Sequence, residues 1–281
     1  MALMKKAVRP AAAEDQPEGM MGFLEHLDEL RSRLIRSCIA IVTGMALAYS
    51  FVDRIGAFIL GPTLTALPPG TERLQTAELA EGFAFYFDVL LIAGSLIASP
   101  FVLFQVWRFI APGLHAGEKR LAIPFVLTGL AGTLSGAAFA HYVLFPSLVS
   151  FFASFDSPLM EFRPRVKDTF TQYKHMLLAM ILVFQLPTLV LFLARLRIVT
   201  ARLLWTHFGH AILIIFIAAA LLTPTADPWN QMVMAVPMLA MYVLSMGIAW
   251  MVAPRTPPAV TTPHLRLVVA AAVVDQARRR T

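Results

Sequence analysis

One cysteine, Cys38, is all the chain has. A disulfide or a thiolate metal cluster needs more, so redox pairing and zinc–cysteine chemistry are closed to it. Charge is equally scarce: only 14% of the residues are Asp, Glu, Lys or Arg, where a soluble domain approaches about a quarter. No glycine-rich phosphate loop or nucleophile elbow occurs, and HLDEL at His26 to Leu30 is not the HExxH metal helix. Neither a nucleotide site nor a cofactor is expected. Everything before Leu34 is polar or amphipathic, so the apolar core of a cleavable signal peptide is missing and the first apolar segment is expected to stay.

What the chain does have is hydrocarbon, at 58% of its residues. A bilayer core of roughly 30 Å takes about 20 apolar residues per helix. Six segments approach that length: Leu34 to Val52, Phe83 to Trp107, Ile123 to Phe145, Met176 to Ala194, His210 to Leu222 and Met232 to Val252. The net charge of +6 could suggest nucleic acid, but the placement of the basic residues argues otherwise. Seventeen fall in the N-terminal arm, the second and fourth connections and the tail, against five (Arg54, Arg73, Arg163, Arg165 and Lys167) on the alternate side. By the positive-inside rule both termini are expected in the cytoplasm. The fold expected is an all-α polytopic membrane protein of six transmembrane helices, embedded in the lipid bilayer.

Residues 1–21 read as a disordered cytoplasmic arm, 22–252 as the membrane domain and 253–281 as a mobile, proline-rich cytoplasmic tail. Three connections face outward on this reading: Asp53 to Gly82, Pro146 to Gln172 and the short Thr223 to Asn230. The fifth segment, His210 to Leu222, covers only roughly 20 Å and must draw in polar flanks or thin the bilayer.

Four places could carry chemistry. In FLEHLDELRSRL, Phe23, Leu27, Leu30 and Leu34 share one helix face, while Glu25, Asp28 and Glu29 follow i, i+3, i+4 spacing. This is either a solvated interfacial helix with acids suited to its N-terminal dipole or a carboxylate cluster that receives a basic ligand. In FQVWRFIAPGLHAGEKR, Trp107 and Phe109 fit an interfacial aromatic belt and Pro112-Gly113 ends the helix. Glu118 is then a loop acid balanced by Lys119 and Arg120, or a second carboxylate at the same membrane face. Gln185 lies deep in the fourth segment before Pro187, as an interhelical tie or a ligand contact. Asp227 before Pro228 is an outward acid or a helix cap.

These segments in this order resemble the TatC family, the core component of the twin-arginine translocase, over about Gly22 to Trp250. FLEHLDELRSRL, FQVWRFIAPGLHAGEKR, FAHYVLFPSLVSFF and TPTADPWNQMVMAVPM carry the resemblance. It implies a concave, cup-like bundle in the cytoplasmic (inner) membrane that binds twin-arginine signal peptides at its cytoplasmic face. Folded cargo is then exported on the proton gradient, with single-span TatA/TatB-type subunits and a homo-oligomeric receptor complex as partners.

Carried over position by position, Glu29 and Glu118 match the signal-contacting glutamates. Phe109 and Pro112 match residues shaping that surface, and Leu30 and Arg31 continue the N-terminal motif beside Glu25. Gln185 matches a glutamate or glutamine of the concave face, and Asp227 an acid of the last outward loop. Two positions depart from the pattern: Val243 stands where many relatives have a glutamate, and Asp88 where the second span often begins with a lysine.

Two other readings make distinct demands. A secondary transporter of a small solute would line its path with Asp88, Gln185 and Asp227, though the halves of the chain show no repeat. An intramembrane enzyme would use His207 and His210 with a bound metal, lacking a third ligand in the sequence.

Overall fold

A computed structural model describes residues 23–67, 74–76, 78–111, 122–159, 161–223 and 227–252. The arm 1–21 and the tail 253–281 lie outside the described residues, as do Pro112 and Glu118. Helices account for nearly everything described: α1 Phe23–Ala48, α2 Val52–Thr65, α3 Glu81–Ile110, α4 Ala122–Phe139, α5 Phe145–Ala153, α6 Val166–Val183, α7 Leu186–Arg195, α8 Ala201–Thr206, α9 Phe208–Leu222 and α10 Pro228–Val252. They make five apolar passes long enough to cross a membrane and a sixth, α9, of 15 residues. At 1.5 Å per residue α9 covers about 22 Å, as short as its apolar run foretold.

The passes stand in an open, cup-like row. α1 packs on α3, α3 on α4, α4 on the α6–α7 pass, α7 on α10, and α10 on α9. Glycine sets two of these seams. A Cβ on Gly44 would lie 2.5 Å from the Gly94 carbonyl oxygen, so α1 and α3 touch backbone to backbone. On α4, a Cβ at Gly132 would meet the Phe184 carbonyl at 2.5 Å and one at Gly136 the Met180 carbonyl at 2.9 Å. Close approach of this kind replaces the hydrophobic drive that lipid cannot supply between helices.

Proline shapes the passes from within. Pro100 lacks the N–H that would bond Leu96, and Ser99 Oγ donates to that carbonyl at 2.7 Å instead. Pro146 follows a π-helical segment, Ala140–Leu144, that widens the third pass around the buried His141. Pro187 coincides with a break at Phe184–Gln185 that divides the fourth pass into α6 and α7.

Several sequence expectations need correction. Asp53 to Gly82 is not one open connection: a 3₁₀ turn, Tyr49–Phe51, leads into α2, whose Gly56, Ile59 and Thr63 are buried at helical spacing. Asp53 and Arg54 belong to the first turn of α2 and do not mark the end of helix. Likewise α5 runs on to Ala153 and α6 begins at Val166, shortening the Pro146 to Gln172 connection. Trp107 is no belt residue. It is 3% exposed and clusters with Phe125 and Phe192, ring centroids 5.3 and 5.6 Å away, because three helices converge there. The apolar face of the first helix, for which the sequence reading set no direction, is turned outward: Leu27, Leu30 and Leu34 are exposed, and the partly buried residues include Glu29 and Arg33. Against lipid tails, as apolar as leucine itself, such a stripe is exposed at little cost.

Candidate functional site

At the end of the bundle where α1 begins and α3 finishes, a buried polar cluster joins the two helices. The i, i+4 spacing of Glu29 and Arg33 sets them one turn apart on α1. Arg33 Nη2 donates to Glu29 Oε1 at 2.5 Å and Nε to the same oxygen at 3.1 Å. The third guanidinium nitrogen, Nη1, donates to Gln105 Oε1 on α3 at 3.2 Å. Gln105 is itself buried. The pair is shielded, with the Glu29 and Arg33 side chains 14% and 12% exposed.

The second carboxylate oxygen is treated differently. Glu29 Oε2 is buried and accepts no hydrogen bond. His26 Nδ1 stands 3.9 Å from it, and the His26 ring stacks on Phe109 with centroids 4.4 Å apart and planes 14° off parallel. A carboxylate with one oxygen doubly engaged and the other bare holds unused acceptor capacity in a place where desolvation makes it costly.

The structure thus unites Glu29 with Phe109 through His26. Glu25, Leu30 and Arg31 are exposed along the same part of α1. Pro112, the next residue after the described end of this segment, and Glu118, six further on, lie outside the described residues. His26, Arg33 and Gln105 had no assigned roles in the sequence reading. For Arg33 the signal was present in its spacing from Glu29; for Gln105, 72 positions away, no local pattern exists.

Elsewhere the polar candidates are held by structural bonds. Gln185 Nε2 donates to the Gly129 carbonyl and to Thr133 Oγ1, both at 2.8 Å, tying the broken pass to α4. Asp227 Oδ1 accepts from the Asn230 backbone N–H at 3.0 Å, capping α10. It lies at the far end of the bundle, where a cavity of about 840 Å³ opens between Thr63, Phe145, Asp168 and Asp227. Asp88 forms an ion pair with Lys174 across α3 and α6. Those three residues, required together by a solute pathway, are engaged in three separate ties. His207 and His210 have ring centroids 6.0 Å apart, and among the described residues no group of three or more potential metal ligands is found.

The family model described as TatC, Sec-independent protein translocase protein, matches residues 25–237. A Sec-independent protein translocase protein TatC of Koribacter versatilis is 37% identical over 255 residues, covering 89% of this chain and 92% of that one. Its counterpart in Helicobacter pylori strain J99 is 34% identical over 232 residues, covering 82% of this chain and 89% of that one. Among solved structures, a crystal structure of the twin arginine translocase receptor TatC superposes with a TM-score of 0.69 at 30% identity, covering 81% of this chain and 99% of that one.

Proposed function

The chain belongs to the TatC family of Sec-independent protein translocase proteins, and from that premise we propose that the Glu29–Phe109 end of the bundle is where a twin-arginine signal peptide docks. As a family member the chain is a multi-pass membrane protein and a receptor subunit of the twin-arginine translocase, a transport component rather than an enzyme. One observation carries the docking reading: Glu29 presents a shielded carboxylate, with a bare oxygen, beside an aromatic surface built on the end of α3. A guanidinium forks onto such a group better than an ammonium does.

Glu118, close after Phe109 in sequence, supplies the second carboxylate in this reading, so that two acids meet two adjacent arginines. Glu25, Leu30, Arg31 and Pro112 complete the surface. Gln185 and Asp227 lie away from it, facing the groove and the outer loop. This end faces the cytoplasm, in keeping with the distribution of Lys and Arg, and both termini lie on that side of the inner membrane. Folded cargo moves on the proton gradient with single-span TatA/TatB-type subunits, around a receptor that assembles as a homo-oligomer.

The experiment is crosslinking of a twin-arginine signal peptide to the full chain. Glu29→Ala combined with Glu118→Ala is expected to abolish the crosslink. Unchanged crosslinking in that variant would sink the assignment.

A further inference from the structure

The carboxylate that a signal arginine needs is already held by an arginine. Two of the three guanidinium nitrogens of Arg33 converge on Glu29 Oε1, while the third is fixed by the buried Gln105. The free oxygen, Oε2, is closed off from solvent. An incoming guanidinium therefore cannot simply add to a waiting carboxylate. To fork across both oxygens it must open the pair.

We propose that Arg33 is a resident stand-in for the signal arginine, and that binding at Glu29 is an exchange of one guanidinium for another. The inference rests on the docking reading above and adds to it a resident competitor that every ligand must displace. Arginine displacing arginine trades like for like: a planar fork leaves the carboxylate and a planar fork replaces it. Lysine offers a compact, strongly hydrated ammonium, and in displacing Arg33 it gives up two N–H bonds for a point contact. The internal pair thus raises the threshold by the same factor for every ligand, and guanidinium, the better partner for a carboxylate, remains the group best able to cross it. Gln105 keeps a grip on Nη1, so the displaced side chain stays poised to return when the ligand departs. The cost is in apparent affinity, which is scaled down by the fraction of molecules in which the pair is open.

The test uses the full chain in nanodiscs and two labelled synthetic peptides, one with paired arginines ahead of an apolar stretch and one with paired lysines. Arg33→Gln is expected to tighten binding of the arginine peptide by about tenfold, as for a site open in about a tenth of molecules. The lysine peptide, held back by the same closed pair, gains by the same factor, so the ratio of the two affinities stays as it was. Arg36→Gln removes the same charge from an exposed position on α1 and leaves Glu29 occupied; it is expected to change either affinity less than about twofold, the scale of a screened surface charge. Gln105→Leu loosens Arg33 without touching Glu29 and gives an intermediate gain, which decides the matter should Arg33→Gln not fold.

Weaker binding of the arginine peptide in Arg33→Gln, or a gain no larger than that of Arg36→Gln, overturns the exchange and makes Arg33 a support for Glu29. Glu29→Gln separates the two levels of the argument. If it binds the arginine peptide like the unaltered chain, the docking reading itself fails. If it loses binding while Arg33→Gln gains nothing, the exchange alone fails.

Discussion

Two carboxylates, Glu29 and Glu81, stand at opposite ends of the bundle and have opposite surroundings. Glu81, at the start of α3, is 4% exposed and fully employed: Oε1 accepts the Lys167 backbone N–H at 2.6 Å and Oε2 the Glu78 N–H at 3.3 Å. It thereby ties the first turn of α6 to the turn that leads into α3, and its negative charge suits the dipoles of both helices. Around it the ends are stitched further by a parallel bridge between Gln75 and Arg165 and by the Lys167–Glu78 ion pair. Glu29 has one oxygen crowded and the other bare. Burial by itself therefore does not mark a site. Saturated acceptors make a rivet, and spare acceptors make a place for something to arrive.

That contrast can be broken by substitution, and the largest stability effect is expected at Glu81. Glu81→Ala removes an acceptor from the start of α6 and from the turn into α3 and should cost about 3 kcal/mol, read as a lower unfolding midpoint in detergent, with peptide binding intact in the folded fraction. Next comes the α4 seam. Gly132→Ala places a methyl against the Phe184 carbonyl and should cost about 2 kcal/mol, since backbone cannot yield as a flexible side chain does. Gln185→Leu surrenders two hydrogen bonds to α4 but keeps the volume, for about 1 kcal/mol by the same measurement. Glu29→Gln sits at the bottom of this order, because the amide oxygen still accepts from Arg33 and holds the loss to about 1 kcal/mol, yet it should erase binding of a twin-arginine peptide. A large stability loss there with binding preserved would make Glu29 a second rivet.

The sequence revealed most of what repeats along a helix and little of what joins distant helices. Six passes, the shortness of α9 and the Asp227 cap follow from apolar run length and from one Asp-Pro step, all local quantities. The Glu29–Arg33 tie was legible in the same way, though its role was not read. Hidden were contacts that depend on tertiary packing. Asp88 reads as a departure from the family pattern until Lys174, 86 positions on, is seen beside it. Trp107 carries the composition of a membrane-interface residue, and only the convergence of α3, α4 and α7 puts it inside. The outward turn of Leu27 and Leu30 inverts a rule learned from water: with lipid as the solvent, the same periodic stripe points the other way.

The break at Phe184–Gln185 also has a mechanical meaning. Above it, α6 lies mainly with α3 and α4; below it, α7 lies chiefly with α10, which in turn carries α9. The fourth pass is thus a jointed rod whose two arms are bolted to different panels of the cup. The amide of Gln185, gripping Gly129 and Thr133, pins the joint itself to α4, so the one place where the rod is interrupted is also the place where it is tied sideways.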